Sequence, residues 1–222
     1  MSAVLALCLA APLQAIAQAP PADENLRVYA VHVNRTPPQS WPGYGMYLGN
    51  GLILTASHVP GPFAAYKPRA LIAGLDLPTR LVKEGALADV DLTLLAVDAE
   101  ALPVRMRMRR LPLCDKPPFA GESVVTVTPE AVAPSHVLSP AAVPARLSGR
   151  FDTLIADVAT TGNSGSGVLD VERSCLLGVI SRKLSVSAPG ARPGEPVRTT
   201  DIAKYFVPVQ DIRAFIPAGV AF

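Results

Sequence analysis

The chain has 222 residues, half of them hydrophobic, and a formal net charge of +2. That length supports a sizeable core in one domain, or in two small ones sharing an interface, and the near-neutral balance gives no electrostatic case for a nucleic-acid or anionic-membrane partner. The 23 prolines, set against few aromatics, favour short strands joined by stiff loops over long helices.

Residues 1–19 read as a secretory signal peptide. The stretch 3–17 is apolar and rich in small residues, and Ala15-Ile16-Ala17 and Ala17-Gln18-Ala19 both offer small–x–small cleavage patterns. No lysine or arginine precedes it, which leads to the expectation that the true start lies upstream. Pro12 and Pro20-Pro21 argue against a buried N-terminal helix, and Leu7 is too large for a lipoprotein site at Cys8. No later stretch approaches the ~20 apolar residues needed to span a bilayer. The expected mature protein is soluble and exported, periplasmic or secreted. It retains two cysteines, Cys114 and Cys175, which an oxidising compartment would pair.

Strands are predicted at 26–34, 43–48 and 52–55, the last two joined by Gly49-Asn50-Gly51, a strong hairpin signal. That hairpin delivers Ala56-Ser57-His58 to a strand end, where a short turn stops at Pro60. Further strands are expected at 69–73, 79–83, 91–97 and 104–108. A second set follows at 123–128, 143–147, 153–158, 167–170, 176–181 and 204–207. Segments 129–144 and 187–200 read as proline-rich loops. Residues 208–216 predict a terminal helix, with Val209, Ile212, Phe215 and Ile216 on one face. Many short strands with almost no helix indicate an all-β fold of barrels or sandwiches. The halves divide near Arg109-Arg110-Leu111-Pro112, giving segments 20–110 and 111–222 after the signal.

Three segments carry candidate chemistry. In Gly162-Asn163-Ser164-Gly165-Ser166-Gly167 a serine is flanked by glycines, so its hydroxyl is uncrowded and the backbone can fold tightly beneath it. Successive N–H groups in such a turn can hold an oxyanion. A serine hydroxyl is a weak nucleophile without a base in hydrogen-bond reach. His58 suits that role, because it stands at a strand end facing a cleft. His32 reads as a partly buried structural histidine in mid-strand, and His136 as a solvated loop residue. Asp91 opens an apolar run that would bury it, so it needs a partner, whereas Asp89 reads as solvated. No metal or other cofactor is called for.

Together these segments resemble the trypsin-like (chymotrypsin-fold) serine peptidases, in particular their bacterial exported branch. The resemblance rests on Gly43-Tyr44-Gly45, Gly51 to Val59, Asp91 to Leu95 and Gly162 to Gly165, in that order, and covers roughly residues 26–216. It implies two antiparallel Greek-key β-barrels packed face to face, with a short C-terminal helix. The first barrel would carry His58 and Asp91, the second Ser164. It implies a serine endopeptidase that hydrolyses polypeptide substrates through an acyl-enzyme. Ser164 would be the nucleophile, His58 the base, Asp91 its orienter, and the N–H groups of Gly162 and Ser164 the oxyanion hole. Ser181, Arg182 and Lys183 match the strand that pairs with substrate, and Cys114–Cys175 matches a disulfide of many animal members.

Departures from the pattern bear on specificity. Ser166 replaces the usual glycine after Gly165, and Arg182 and Lys183 stand where an aromatic residue and a glycine are common. Val158 takes the position that holds an acid in members selecting lysine or arginine, with Asp157 one residue away. Small aliphatic residues, or acidic ones drawn by Arg182 and Lys183 with help from Thr160 and Thr161, are the two expected preferences. The aliphatic one is favoured, because a basic side chain with a path to water takes it. A catalytically silent relative that binds peptides in the same cleft is the alternative function. An α/β-hydrolase esterase is rejected, since the order serine, acid, histidine is not present.

Overall fold

The computed structural model describes residues 24–35, 43–148, 151–156, 163–188 and 196–222. The expected signal 1–19, Asp157, Val158, Thr160, Thr161 and Gly162 lie outside the described residues.

Seven strands form the first sheet: β1 (Ala30–Asn34), β2 (Gly43–Gly49), β3 (Leu52–Thr55), β4 (Arg69–Ile72), β5 (Leu75–Pro78), β6 (Arg80–Glu84) and β7 (Thr93–Ala96). They run antiparallel in the order β5-β4-β1-β2-β3-β7-β6, a half-barrel. Six more close a barrel in the order β10-β13-β12-β11-β8-β9. These are β8 (Ser123–Val127), β9 (Val132–Leu138), β10 (Leu154–Ile155), β11 (Gly167–Asp170), β12 (Cys175–Ala188) and β13 (Arg198–Pro208). Among the described residues three short α-helices accompany them: α1 (Val104–Arg107), α2 (Ala145–Ser148) and the terminal α3 (Val209–Phe215).

The period of two along each strand sorts side chains between two cores. In β2, β3 and β7, Tyr47, Ile53 and Leu95 point into the first sheet's interior with Val31, Val33 and Ile72. Their neighbours Met46, Leu48, Leu54 and Leu94 point the other way, onto Val125, Leu169, Leu176 and Val179 of the barrel. Strands buried on both faces read as unbroken apolar runs, which is why Leu52-Ile53-Leu54 and Leu92-Thr93-Leu94-Leu95 show no alternation. The helix α3 buries Val209, Ile212 and Phe215, and Ile212 and Phe215 seal one end of the same intersheet core. Cys114 and Cys175 are disulfide-bonded, tying the connection between the sheets to the first residue of β12.

The hairpin at 49–51 forms as expected, with φ of 130° at Gly49, 49° at Asn50 and 79° at Gly51. Several sequence expectations are corrected. Residues 24–29 form a 3-10 helix, so the first strand begins at Ala30. The stretch 104–107 is helical instead of a strand, with the Met106 and Arg107 N–H groups donating to Pro103 O and the Met108 N–H to Val104 O. In the helix only Met106 is buried, leaving Val104 and Met108 63% and 76% exposed. Segment 129–144 contains β9 rather than a loop. Its Pro134 sits opposite Val125 of β8, where β10 does not reach, so the missing N–H costs no ladder bond. Residues 145–148 are helical where a strand was expected. The strands at 176–181 and 204–207 are parts of two longer arms, β12 and β13, paired to their ends at Ala188 and Arg198. Leu75–Pro78, unexpected from sequence, adds an edge strand to β4.

Candidate active site

His58 leaves the end of β3 in a tight turn, with the Val59 N–H donating to Ala56 O at 3.0 Å and the Gly61 N–H to Ser57 O at 3.2 Å. Arg35 clamps this turn from outside, donating to the carbonyls of His58 and Val59 and stacking on Tyr66 at 5.1 Å. Nothing in the sequence singled out that arginine, because its targets are main-chain oxygens.

Asp91 stands two residues before β7 and is almost wholly buried, with its side chain 1% exposed. It accepts from His58 Nδ1 at 2.9 Å, Ser181 Oγ at 2.6 Å, Ser57 Oγ at 2.6 Å and the His58 N–H at 3.3 Å. Burial alone would raise its pKa. The hydrogen bonds from His58, Ser181 and Ser57 outweigh burial and hold the carboxyl well below the usual carboxylate range. Asp89, the competing carboxylate, is exposed.

Ser164 is presented by a turn locked to both sheets. Its carbonyl accepts the Tyr44 N–H of β2 at 3.0 Å, and the Gly165 N–H donates to Ile180 O of β12 at 2.8 Å. Gly165 has φ +88°, and a Cβ there would meet Tyr44 O at 1.9 Å, so only glycine fits beneath the serine. Ser166 is fully buried and its hydroxyl donates to Asn163 O at 2.6 Å, a structural bond inside the turn. The Ser164 hydroxyl donates to Ser181 O at 3.2 Å. Among the described residues it makes no hydrogen bond to His58, and the Ser164 N–H has no acceptor.

Ser181 therefore touches both sides of the site, the carboxylate through its hydroxyl and the serine through its carbonyl. The family resemblance implied only substrate pairing for it. Arg182 turns toward the carboxylate instead of lying along that strand. Its Nε donates to Ser181 Oγ at 3.1 Å, one Nη to Leu87 O at 3.0 Å, and the same nitrogen lies 3.9 Å from Asp91 Oδ2. Its guanidinium also sits 5.3 Å above the Phe151 ring. Lys183 pairs with Asp201 at 2.7 Å. A cavity of about 270 Å³ borders His58, lined by Pro62, Gly85 and Leu87, and one of about 340 Å³ is lined by Tyr44, Glu130 and Asn163. His32, in β1, binds Glu130 through Nε2 at 2.9 Å, and His136 is exposed on β9 rather than in a loop.

Neither a scan against protein-family models nor a search of curated proteins gives a match. Solved structures do. The active form of the Rv3671c protease from M. tuberculosis aligns over 96% of this chain and 92% of its own, with 16% identity and a TM-score of 0.57. The serine endoprotease from Yersinia pestis aligns over 87% of this chain and 65% of its own, with 20% identity and a TM-score of 0.55. Kallikrein-related peptidase 10, solved in complex with Zn2+, aligns over 85% and 92%, with 16% identity and a TM-score of 0.59. Half-barrel, closed barrel and terminal helix, in that order along the chain, are thus the fold of the trypsin-like, chymotrypsin-fold serine peptidases.

Proposed function

We propose that the protein is a serine endopeptidase working through an acyl-enzyme, with Ser164 as nucleophile, His58 as general base and then acid, and Asp91 as the orienting carboxylate. The observation that carries this reading is the environment of Asp91. An ionised carboxylate 1% exposed is costly unless every lone pair is used, and here His58, Ser57 and Ser181 use them. Such a carboxylate fixes the imidazole with its Nδ1 protonated and leaves Nε2 free to accept a proton.

In the catalytic cycle the Ser164 hydroxyl turns from Ser181 O to His58 Nε2. A substrate main-chain N–H replaces it at the vacated carbonyl. Nε2 takes the hydroxyl proton as Oγ attacks the scissile carbonyl, and the N–H of Ser164, with that of Gly162, receives the oxyanion. His58 then returns the proton to the leaving amine, and water repeats the sequence on the acyl-enzyme. With the Arg182 guanidinium 3.9 Å from Asp91 and held on Ser181 and Leu87, and Lys183 paired with Asp201, both basic groups are already engaged, which supports the preference for small aliphatic residues. The Cys114–Cys175 disulfide supports an oxidising compartment and, with 1–19 as leader, export.

A fluorophosphonate probe tests the assignment. Wild type and Ser166→Ala should label, whereas Ser164→Ala and His58→Ala should not, since loss of a triad member costs ~10⁴–10⁶ in turnover. A wild type that never labels would support the silent binding module, a reading favoured by one observation, the engagement of the Ser164 hydroxyl with Ser181 O. A peptide library varied at the residue whose carbonyl is attacked tests the preference, and cleavage after lysine or arginine would refute it.

A further inference from the structure

A cavity of about 410 Å³ opens beside β1 and α1, on residues that take no part in the candidate active site. Its walls include three arginines, Arg27, Arg105 and Arg109, together with His32, and among the described residues no acidic one lines it. The chain as a whole is near neutral, so this is a local concentration of charge that net charge conceals.

The pairing of these groups is incomplete. Arg27 donates to Pro129 O at 2.7 and 3.2 Å, which fixes its guanidinium at one wall. Among the described residues Arg105 and Arg109 form no ion pair, although Arg107 on the same helix is paired with Glu100. Arg109 has the ring of Tyr29 at 6.0 Å, and its Nε is a buried donor without a partner. His32 donates from Nε2 to Glu130 at 2.9 Å, so its buried, unpartnered Nδ1 is an acceptor in the neutral ring and adds no donor to the cavity. Like charges gathered round one concavity repel, and a buried donor left unpaired, as Arg109 Nε is, costs free energy. Both costs fall when an anion enters. Guanidinium groups match the oxygens of phosphate and carboxylate in a bidentate fork. The volume exceeds what a bare oxyanion fills, and Met106 and Leu71 line the remainder with apolar surface.

We propose that this cavity binds a small organic anion, a phosphate monoester or carboxylate bearing an apolar group, with Arg105 and Arg109 as the main contacts. The assignment is independent of the proposed peptidase activity.

Phenyl phosphate is the probe, titrated calorimetrically into the full chain, with inorganic phosphate and phenol as comparisons. One saturable site is expected, tighter for phenyl phosphate than for either fragment and weakening as salt rises. Arg105→Gln and Arg109→Gln should each weaken binding about tenfold, the effect of losing one charged hydrogen-bonding partner. Arg198→Gln, an exposed arginine on β13, and Ser164→Ala should bind as wild type does. Thermal melts identify any variant that misfolds, and the exposed Arg105 keeps the test open if Arg109→Gln does so. Equal weakening in Arg198→Gln, or heat that never saturates, would overturn the proposal in favour of diffuse electrostatics. Benzoate binding at the same site distinguishes a carboxylate source from a phosphate one, and either supports the assignment. Binding to phosphatidylglycerol vesicles with none to phenyl phosphate or benzoate would overturn it and make the basic patch a membrane contact.

Discussion

Ser164 and Ser181 are joined by a hydrogen bond from the hydroxyl of the first to the carbonyl of the second, 3.2 Å long, while the hydroxyl of Ser181 is spent on Asp91 at 2.6 Å. Ser181→Ala thus keeps the carbonyl and removes only the donor to the carboxylate. The expected result is a fluorophosphonate labelling rate about tenfold lower, from one lost charge-assisted bond, with the fold and thermal midpoint nearly unchanged. An unaltered labelling rate would show that Ser57 and His58 suffice to hold Asp91.

Acid should find this site first. The folded-state pKa of Asp91 lies below its ordinary value of 3.8, so ionised Asp91 contributes stability that is fully present above that value and lost as pH falls through the folded one. Removing donors raises the folded pKa and shifts the loss to higher pH. The Ser57→Ala/Ser181→Ala double variant should therefore unfold at higher pH than wild type when circular dichroism is followed from about pH 6 down to pH 2. Superimposable acid curves would contradict this account.

Two glycines with nearly the same φ separate conformational cost from steric cost. Gly165 has φ +88° and Gly121 has φ +86°, but a Cβ at Gly165 strikes Tyr44 O at 1.9 Å while one at Gly121 meets nothing within 4 Å. Gly121→Ala should cost about 1 kcal/mol, the left-handed penalty alone. Gly165→Ala must also push β2 from the serine turn, and a loss of roughly 3 kcal/mol or more is expected by urea unfolding. Equal costs at the two sites would mean that the turn and β2 separate easily.

The disulfide offers a fourth measurement. It spans a sequence separation of 61 residues, and the chain-entropy account gives up to about 4 kcal/mol for a loop of that size. The Cys114→Ala/Cys175→Ala variant should show a lower urea midpoint at unchanged slope, and reduction should shift wild type in the same direction. No shift in either case would place the stability of β12 in its packing alone.

Some of this was legible in sequence because it depends on residues close together in the chain. Asn50-Gly51 between apolar runs specified the hairpin, and Leu52-Ile53-Leu54 read as its second strand, although only the structure shows it buried on both faces. The terminal helix followed from the spacing of Val209, Ile212 and Phe215. His58 and Asp91 stood out as candidates because one ends an apolar run and the other opens one. Tertiary structure alone decided the rest. The pattern at 104–108 reads as a strand, but in the fold only Met106 reaches the core and residues 104–107 form a helix. Arg182 reached Leu87, a residue 95 positions away, and the guanidinium groups of Arg27, Arg105 and Arg109 met round one cavity. Local sequence encodes burial periodicity and turn conformation. Where a long charged side chain finds its partner depends on which remote segments the two sheets bring beside it, and no short-range pattern carries that information.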